Sequence, residues 1–193
     1  MTPSRRLAAW IDAHNPYRDH ITHLKLQKLM FYCAGVALAF DLDGVVGEIP
    51  FEPWEHGPVN REVWRCLRHH KSKPLPSGQE LVSELGMRAM RLTYGSNADA
   101  KLMCALKIYG SLDAWSLRCQ THREAPWKEA FDNKAHQIDT DLVRNYFKQK
   151  YRSGPVSCPA WVLDPGSFTV DGIPVHRYRD IEDLAESVNR SLS

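Results

Sequence analysis

The sequence predicts a mainly α-helical protein with a few short β elements. Over about the first 150 residues the apolar side chains recur at spacings of three and four, as on the buried face of a helix. The longest uncharged, mostly apolar run covers residues 29–40, which is shorter than the roughly 20 residues of a membrane span and indicates a buried helix. The chain has 193 residues, of which 43% are hydrophobic, and this is enough for one domain with a real core.

Two helices are predicted at the start of the chain. Thr2 and Pro3 suit the cap and first turn of a helix that ends before Asn15. Thr22 suits the cap of a second helix over residues 23–40. The later turns of this second helix are apolar on all sides, so we expect it to lie at the centre of the core.

A turn and an extended segment are predicted next. Residues 41–44 have the composition of a turn, and residues 45–54 resemble an edge strand. Pro58 and Val59 are predicted to open a third helix, which ends near Lys73 because two prolines follow.

The remaining periodic segments predict short amphipathic helices. Ser111 is expected to cap one of them, with Leu112, Trp115 and Leu117 pointing inward. The other helices are predicted over residues 80–92, 97–109, 126–131 and 141–151.

The chain changes character after residue 151. Prolines and glycines form an irregular linker, and two extended runs then flank Asp171 and Gly172, a strong hairpin signal. Asp180 suits the cap of a final helix over residues 181–192. We therefore expect a helical domain over residues 1–151 and an extension over residues 152–193, packed on or beside it.

Composition excludes several classes of protein. The net charge of +2 and a pI of about 8.3 are far from the strongly basic balance of a dedicated nucleic-acid binder. The first ten residues lack a signal-peptide core, and the five cysteines include no C-x-x-C pair. We therefore expect a cytoplasmic protein with reduced thiols, without a membrane partner, a metal or a cofactor.

Candidates for catalysis or metal binding are few. Cys119 and His122 are three residues apart and could form an activated thiolate pair, although a local hydrogen bond explains them as well. His20 and His23 have the same spacing, but no carboxylate or thiolate follows at ligand spacing. We expect no enzymatic activity, with an enzyme using Cys119 and His122, or Thr121 and His122, as the alternative.

A row of arginines lies on one face of the predicted third helix. Arg61, Arg65 and Arg68 could contact phosphates or an acidic protein surface, and a solvated helix face explains them equally well. A DNA-binding autoregulator that contacts phosphates through these arginines therefore stays an alternative, although nucleic acid is not the favoured partner.

Two blocks of motifs resemble a known family. The first block consists of residues 24–32 (LKLQKLMFY), 51–54 (FEPW), 56–59 (HGPV) and 62–64 (EVW). The second consists of residues 110–115 (GSLDAW), 121–127 (THREAPW), Ile138 and 143–147 (VRNYF). In order and spacing, over about residues 5–151, they resemble the Panacea domain of SocA-like antitoxins.

The resemblance implies an antitoxin that neutralises a cognate toxin, encoded next to it, by direct protein contact. One member of the family is instead a proteolytic adaptor that delivers its toxin to ClpXP, so a ClpXP-type protease is an alternative partner. Neither role needs an active site. Residues 152–193 depart from a minimal Panacea domain, and we expect them either to contact the toxin or to fold back on the domain.

Two groups of candidate residues follow from the motifs and the arginine row. The candidates for partner binding are Lys25, Gln27, Lys28, Tyr32, Trp54, Arg61, Arg65, Arg68, Thr121 and His122. The family-signature residues expected to maintain the scaffold are Gly57, Pro58, Val59, Trp64, Trp115, Pro126 and Trp127. In this interpretation the polar residues of the second helix are presented to a partner, and Gly57 and Pro58 set a tight turn.

Overall fold

The computed structural model describes residues 1–17, 21–88 and 92–153, together with one strand pair in the tail. The predicted mainly helical class is confirmed. The described helices are α1 (Pro3–His14), α2 (His23–Ala39), α3 (Asp43–Val46), α4 (Arg61–Leu67), α5 (Gln79–Glu84), α6 (Ser96–Tyr109), α7 (Ala114–Thr121), α8 (Ala125–Asp132) and α9 (Thr140–Lys148). A 3₁₀ turn (Arg68–His70) follows α4, and a π-helical turn (Gln149–Ser153) follows α9.

The first two helices begin where the sequence predicts. The Thr2 hydroxyl accepts from the backbone N–H of Arg5 at 3.5 Å, and the Thr22 hydroxyl accepts from that of Lys25 at 3.3 Å. Nearly every side chain of α2 is buried, and this helix contacts α1, α4, α6, α7 and α9. The prediction of a central helix is therefore confirmed. Among the described residues, none of the helices combines the length and the apolar character that a membrane span requires.

Helix α9 approaches the central helix closely at Gly35. A Cβ atom at this position would lie 2.5 Å from the ring of Phe147, so the absence of a side chain is what lets the two helices meet. Three residues earlier in α9, the guanidinium of Arg144 donates two hydrogen bonds to the carboxylate of Asp43, at 3.0 and 3.3 Å. These contacts tie the last described helix to the core.

The predictions of the extended segment and of the third helix are partly wrong. Residues 43–46 form α3, because the carbonyl of Leu42 accepts from the N–H groups of Val45 and Val46. The extended part is the short strand β1 (Glu52–Trp54), which pairs antiparallel with β2 (Gly57–Val59). Pro58 and Val59 therefore belong to a hairpin, and α4 begins at Arg61.

Two other helix boundaries also differ from the prediction. Asp113, rather than Ser111, caps α7, because its carboxylate accepts from the N–H groups of Trp115 and Ser116 at 2.8 and 2.9 Å. Leu117 is buried as predicted, whereas Trp115 points outward with 62% of its surface exposed. Helix α5 ends at Glu84, earlier than the predicted residue 92.

The chain divides into two compact units, Met1–Val156 and Ser157–Ser193. In the second unit the structure describes β3 (Thr169–Val170) paired antiparallel with β4 (Ile173–Pro174), at the position predicted for a hairpin. The predicted helix over residues 181–192 lies outside the described residues. Among the described residues, Cys33, Cys66, Cys104 and Cys119 form no disulfide.

Candidate functional site

A series of aromatic rings and cationic side chains lies on the β1–β2 hairpin, α4, α7 and α8, and all of them except the Trp115–Arg118 pair are joined by ring contacts or a hydrogen bond. We call this series the aromatic–cation belt. Its members are Trp54, Trp64, Arg68, Trp115, Arg118, His122, Trp127 and Phe131. Two members are large apolar side chains left exposed, Trp115 at 62% and Phe131 at 39%.

One half of the belt is built on the hairpin and α4. The ring of Trp54 packs edge-on against Trp64 with 5.0 Å between centroids, and the guanidinium of Arg68 lies 5.2 Å from the Trp64 ring. The carboxylate of Glu52 orients this half, because it accepts from the Trp54 indole at 2.8 Å and from Arg61 at 3.3 Å.

The other half is built on α7 and α8. His122 stacks on Trp127 at 3.9 Å, and Trp127 stacks in turn on Phe131 at 4.8 Å. The indole N–H of Trp127 donates to the carbonyl of Trp54 at 3.1 Å, which joins the two halves. The guanidinium of Arg118 lies 4.6 Å from the exposed ring of Trp115.

The arginine row predicted from the sequence is exposed. Arg61, Arg65 and Arg68 lie on α4 and the 3₁₀ turn at spacings of four and three, so they share the outer side of this segment. Arg61 pairs with Glu52, and Arg68 lies against Trp64. The row therefore borders the belt.

The charges that act on His122 are all positive. Burial lowers the pKa of the His122 imidazole, and the nearby Arg118, Lys28 and His56 lower it further. The Nε2 atom of His122 and the Nε atom of Arg118 are buried and have no hydrogen-bond partner among the described residues. This part of the belt is thus cationic and leaves polar atoms unsatisfied.

Five predicted partner-binding residues lie in the interior. Each is at most 3% exposed: Lys25, Gln27, Lys28, Tyr32 and Thr121. The Gln27 side chain accepts from the backbone N–H of Asn60 at 2.7 Å, and the Lys28 ammonium donates to the carbonyl of Pro58 at 3.0 Å. In this structure Gln27 and Lys28 hold the hairpin, and the Tyr32 hydroxyl bonds Glu124.

The hairpin fits closely over Lys28 and Thr121. Gly57 has a φ of +95°, and a Cβ atom there would lie 2.8 Å from the Thr121 hydroxyl and 2.9 Å from the Lys28 ammonium. Both the backbone conformation and the lack of space therefore require glycine. Burial, followed by the charge of Arg118, lowers the pKa of Lys28 to about 7.

The other expected scaffold residues are mostly buried. Pro58, Val59, Pro126 and Trp127 have little exposed surface, as a scaffold role requires. Trp64 is half-buried, and Trp115 differs because it is exposed.

Sequence reasoning missed two buried polar residues, Asn60 and Glu124. Asn60 caps α4 by accepting from Val63 at 3.0 Å, and its amide donates to Ser4 and to the carbonyl of Pro50. An asparagine before a helical pattern is a cap signal, but the preceding Pro58 suggested an earlier start.

Glu124 is 2% exposed and accepts hydrogen bonds from three side chains. The Tyr32 hydroxyl donates to it at 3.0 Å, the Lys150 ammonium at 2.8 Å, and the Tyr146 hydroxyl completes the set. This network joins α2, the start of α8, α9 and the π-helical turn. Nothing in the local sequence indicates that this glutamate is buried.

Cys119 and His122 do not form the pair that thiolate activation needs. Cys119 lines a surface cavity of about 480 Å³ together with Glu124 and Lys150, whereas His122 is stacked on Trp127. Among the described residues, no hydrogen bond joins the Cys119 thiol to the His122 imidazole.

The model of a protein family, described as antitoxin SocA-like, Panacea domain, matches residues 26–128. These residues are more than half of the chain, and the chain therefore belongs to this family, as the motifs indicated. No curated protein and no solved structure matches the chain. The family supports an antitoxin role in general, with a toxin as the partner. Apart from Phe131, every member of the belt lies within the matched residues.

Proposed function

We propose that this protein is a non-enzymatic antitoxin that neutralises a cognate toxin protein, encoded next to it, by direct binding. The binding surface is the aromatic–cation belt with the bordering arginines Arg61 and Arg65. The observation that carries this proposal is the exposure of two large apolar side chains, Trp115 against Arg118 and Phe131 stacked on Trp127. Tryptophan and arginine are the residue types enriched in interface hot spots.

The belt supplies rigid anchors for a partner. Trp127 is held by stacking on both sides and by its hydrogen bond to Trp54, and Arg118 lies over Trp115. A side chain that is already ordered loses less entropy when a partner binds, so more of the contact energy contributes to affinity.

The charge of the belt favours an acidic partner surface. Arg65, Arg68 and Arg118 add positive charge beside the rings, and the groups acting on His122 are also cationic. A carboxylate-rich patch on the toxin would complement these charges and would speed association. The same arginines would also bind phosphates, so binding to DNA is tested as an alternative.

The buried candidates have a different role in this proposal. Lys28, Gln27 and Thr121 support the hairpin from below, and Tyr32 supports the junction of α7 and α8 through Glu124. We therefore propose that they position the belt and do not touch the toxin.

Co-expression with the protein of the adjacent reading frame tests the proposal. The intact antitoxin should restore growth, and the double variant Trp115→Ala with Phe131→Ala should fail to do so while still folding. Tyr17→Ala is the matched control, because Tyr17 is an aromatic residue 41% exposed outside the belt. Full rescue by the double variant would contradict the proposal.

Three further measurements separate the alternatives. Neutralisation by the two purified proteins alone supports direct binding, whereas a requirement for a ClpXP-type protease supports an adaptor. Rescue that is lost in Cys119→Ala while the complex still forms would indicate chemistry. Retention on DNA that weakens steeply with salt would indicate an autoregulator.

We also propose that residues 152–193 are an extension of the 1–151 domain that adds partner-specific contacts. A chain ending at residue 152 should bind the toxin more weakly than the full chain. Unchanged neutralisation by this shorter chain would contradict a binding role for the extension.

A further inference from the structure

Two consecutive histidines, which follow Arg68 of the belt in the 3₁₀ turn, converge with a glutamate at the end of α5. The Nε2 atoms of His70 and His69 lie 2.6 and 3.4 Å from the same carboxylate oxygen of Glu84. One ligand atom from each residue lies within 4.8 Å of the other two. We propose that this cluster binds a divalent transition-metal ion, with Zn²⁺ as the best match.

The donor set supports this choice of ion. Two imidazole nitrogens and one carboxylate oxygen are the ligands of zinc sites that keep a fourth position for water. Hard ions such as Mg²⁺ and Ca²⁺ prefer sets made of oxygen atoms, so two imidazoles disfavour them.

The separations between the ligand atoms are also suitable. Tetrahedral zinc has bonds of roughly 2.0–2.2 Å to nitrogen and oxygen, which places neighbouring ligand atoms about 3.3 Å apart. The observed separations of 2.6 and 3.4 Å lie on either side of this value. The third separation, between one nitrogen of each imidazole, is at most 4.8 Å, so small side-chain rotations would bring the three atoms around one ion.

The cluster is held on one side and open on the other. His70 and Glu84 have 18% and 24% of their side chains exposed, whereas His69 has 59% exposed. Buried Leu67 anchors the helix before the 3₁₀ turn, and buried Leu81 anchors α5. Two ligands are thus placed by the fold, the third can rotate to meet the ion, and water can reach the fourth position.

Binding would fasten the end of α4 to α5. The 3₁₀ turn that carries both histidines directly follows α4, and Glu84 is the last residue of α5. An ion that joins them stabilises the folded chain, because the unfolded chain does not hold the three ligands together. The proposal is independent of toxin binding.

Zinc titration of the full chain, without a polyhistidine tag, tests this site by calorimetry. We expect one saturable site and a rise in the melting temperature of the intact protein. His69→Gln and Glu84→Gln should each lower the affinity by at least the roughly tenfold typical of outer-shell substitutions. His136→Gln, at an exposed histidine outside the cluster, should leave it unchanged.

The variants at His69 and Glu84 are chosen so that the protein still folds. His69 is exposed, so its replacement does not endanger folding, and glutamine has the shape of Glu84. The absorption spectrum of Co²⁺ bound in place of Zn²⁺ gives a second readout, since it depends on the geometry around the ion. An intact protein that binds no zinc, or variants that bind it as tightly as the intact protein, would overturn the proposal.

Discussion

The buried layer, formed by Lys28, Glu124 and their hydrogen-bond partners, differs in environment from the aromatic–cation belt. In the buried layer Lys28 and Glu124 are fully enclosed, and their charged groups have hydrogen-bond partners. In the belt Trp115 is exposed, and atoms of Arg118 and His122 lack such partners. The comparison teaches that the family motifs combine residues that position a surface with residues that form it.

The largest effect is expected from breaking the Glu124 network. Glu124→Ala would leave the Lys150 ammonium, whose side chain is only 15% exposed, without its partner and would remove the acceptor of Tyr32. Loss of one partner of a buried pair costs about 3–5 kcal/mol of unfolding free energy. Urea denaturation measures this loss. Glu129→Ala, on the exposed side of the same helix, is the control and should change the stability by less than about 0.5 kcal/mol.

The next effect is expected at Gly57. Gly57→Ala should lower the unfolding free energy by about 2–4 kcal/mol, because alanine is strained at positive φ and its Cβ would overlap Lys28 and Thr121. Gly44→Ala is the control, since a Cβ there meets nothing within 4 Å. Equal stability of the two variants would contradict the close fit of the hairpin.

A smaller effect is expected from Lys28, which should make the unfolding free energy depend on pH. Its pKa of about 7 in the folded chain lies below the value of about 10.4 expected for unfolded lysine. Between these values the unfolded chain binds more protons, so the stability rises with pH, by up to about 1.4 kcal/mol per pH unit.

The variant Lys28→Met isolates this contribution. Urea midpoints at pH 7, 8 and 9 should rise more steeply for the intact protein than for the variant, since both share every other titrating group. Parallel pH profiles of the two proteins would show that Lys28 does not titrate in this range.

The smallest effect is expected from single charges beside the belt. Arg65→Ala should weaken toxin binding by only about 0.2–1 kcal/mol, because exposed ion pairs are screened by water and salt. Binding measured at two salt concentrations should show a smaller salt dependence for the variant. A loss of affinity above tenfold would indicate that Arg65 lies at the centre of the binding surface and not at its border.

The fold could be predicted where local signals decide the structure. Capping residues and apolar periodicity were sufficient for α1, α2 and α6, and the motifs were sufficient for the family. The start of α4 was placed too early because Pro58 suits the first turn of a helix, whereas cross-strand pairing with β1 makes it extended.

The site could be predicted less well because exposure depends on tertiary contacts. Trp115 and Leu117 are two residues apart, about 200° around a helix, so they could not both face inward, and tertiary packing buries Leu117 and leaves Trp115 exposed. Lysine and glutamate are almost never fully buried, so neither Lys28 nor Glu124 was expected inside. Their burial depends on the hairpin and on α9, which are distant in sequence from α2 and α8.

The affinity of purified Trp115→Ala for the toxin, measured together with its unfolding free energy, tests the central claim most directly. We expect affinity to fall by about 30-fold or more, equivalent to a hot spot of about 2 kcal/mol, while the stability stays within about 0.5 kcal/mol of the intact protein. Unchanged affinity in the folded variant would contradict the assignment of the aromatic–cation belt as the toxin-binding surface.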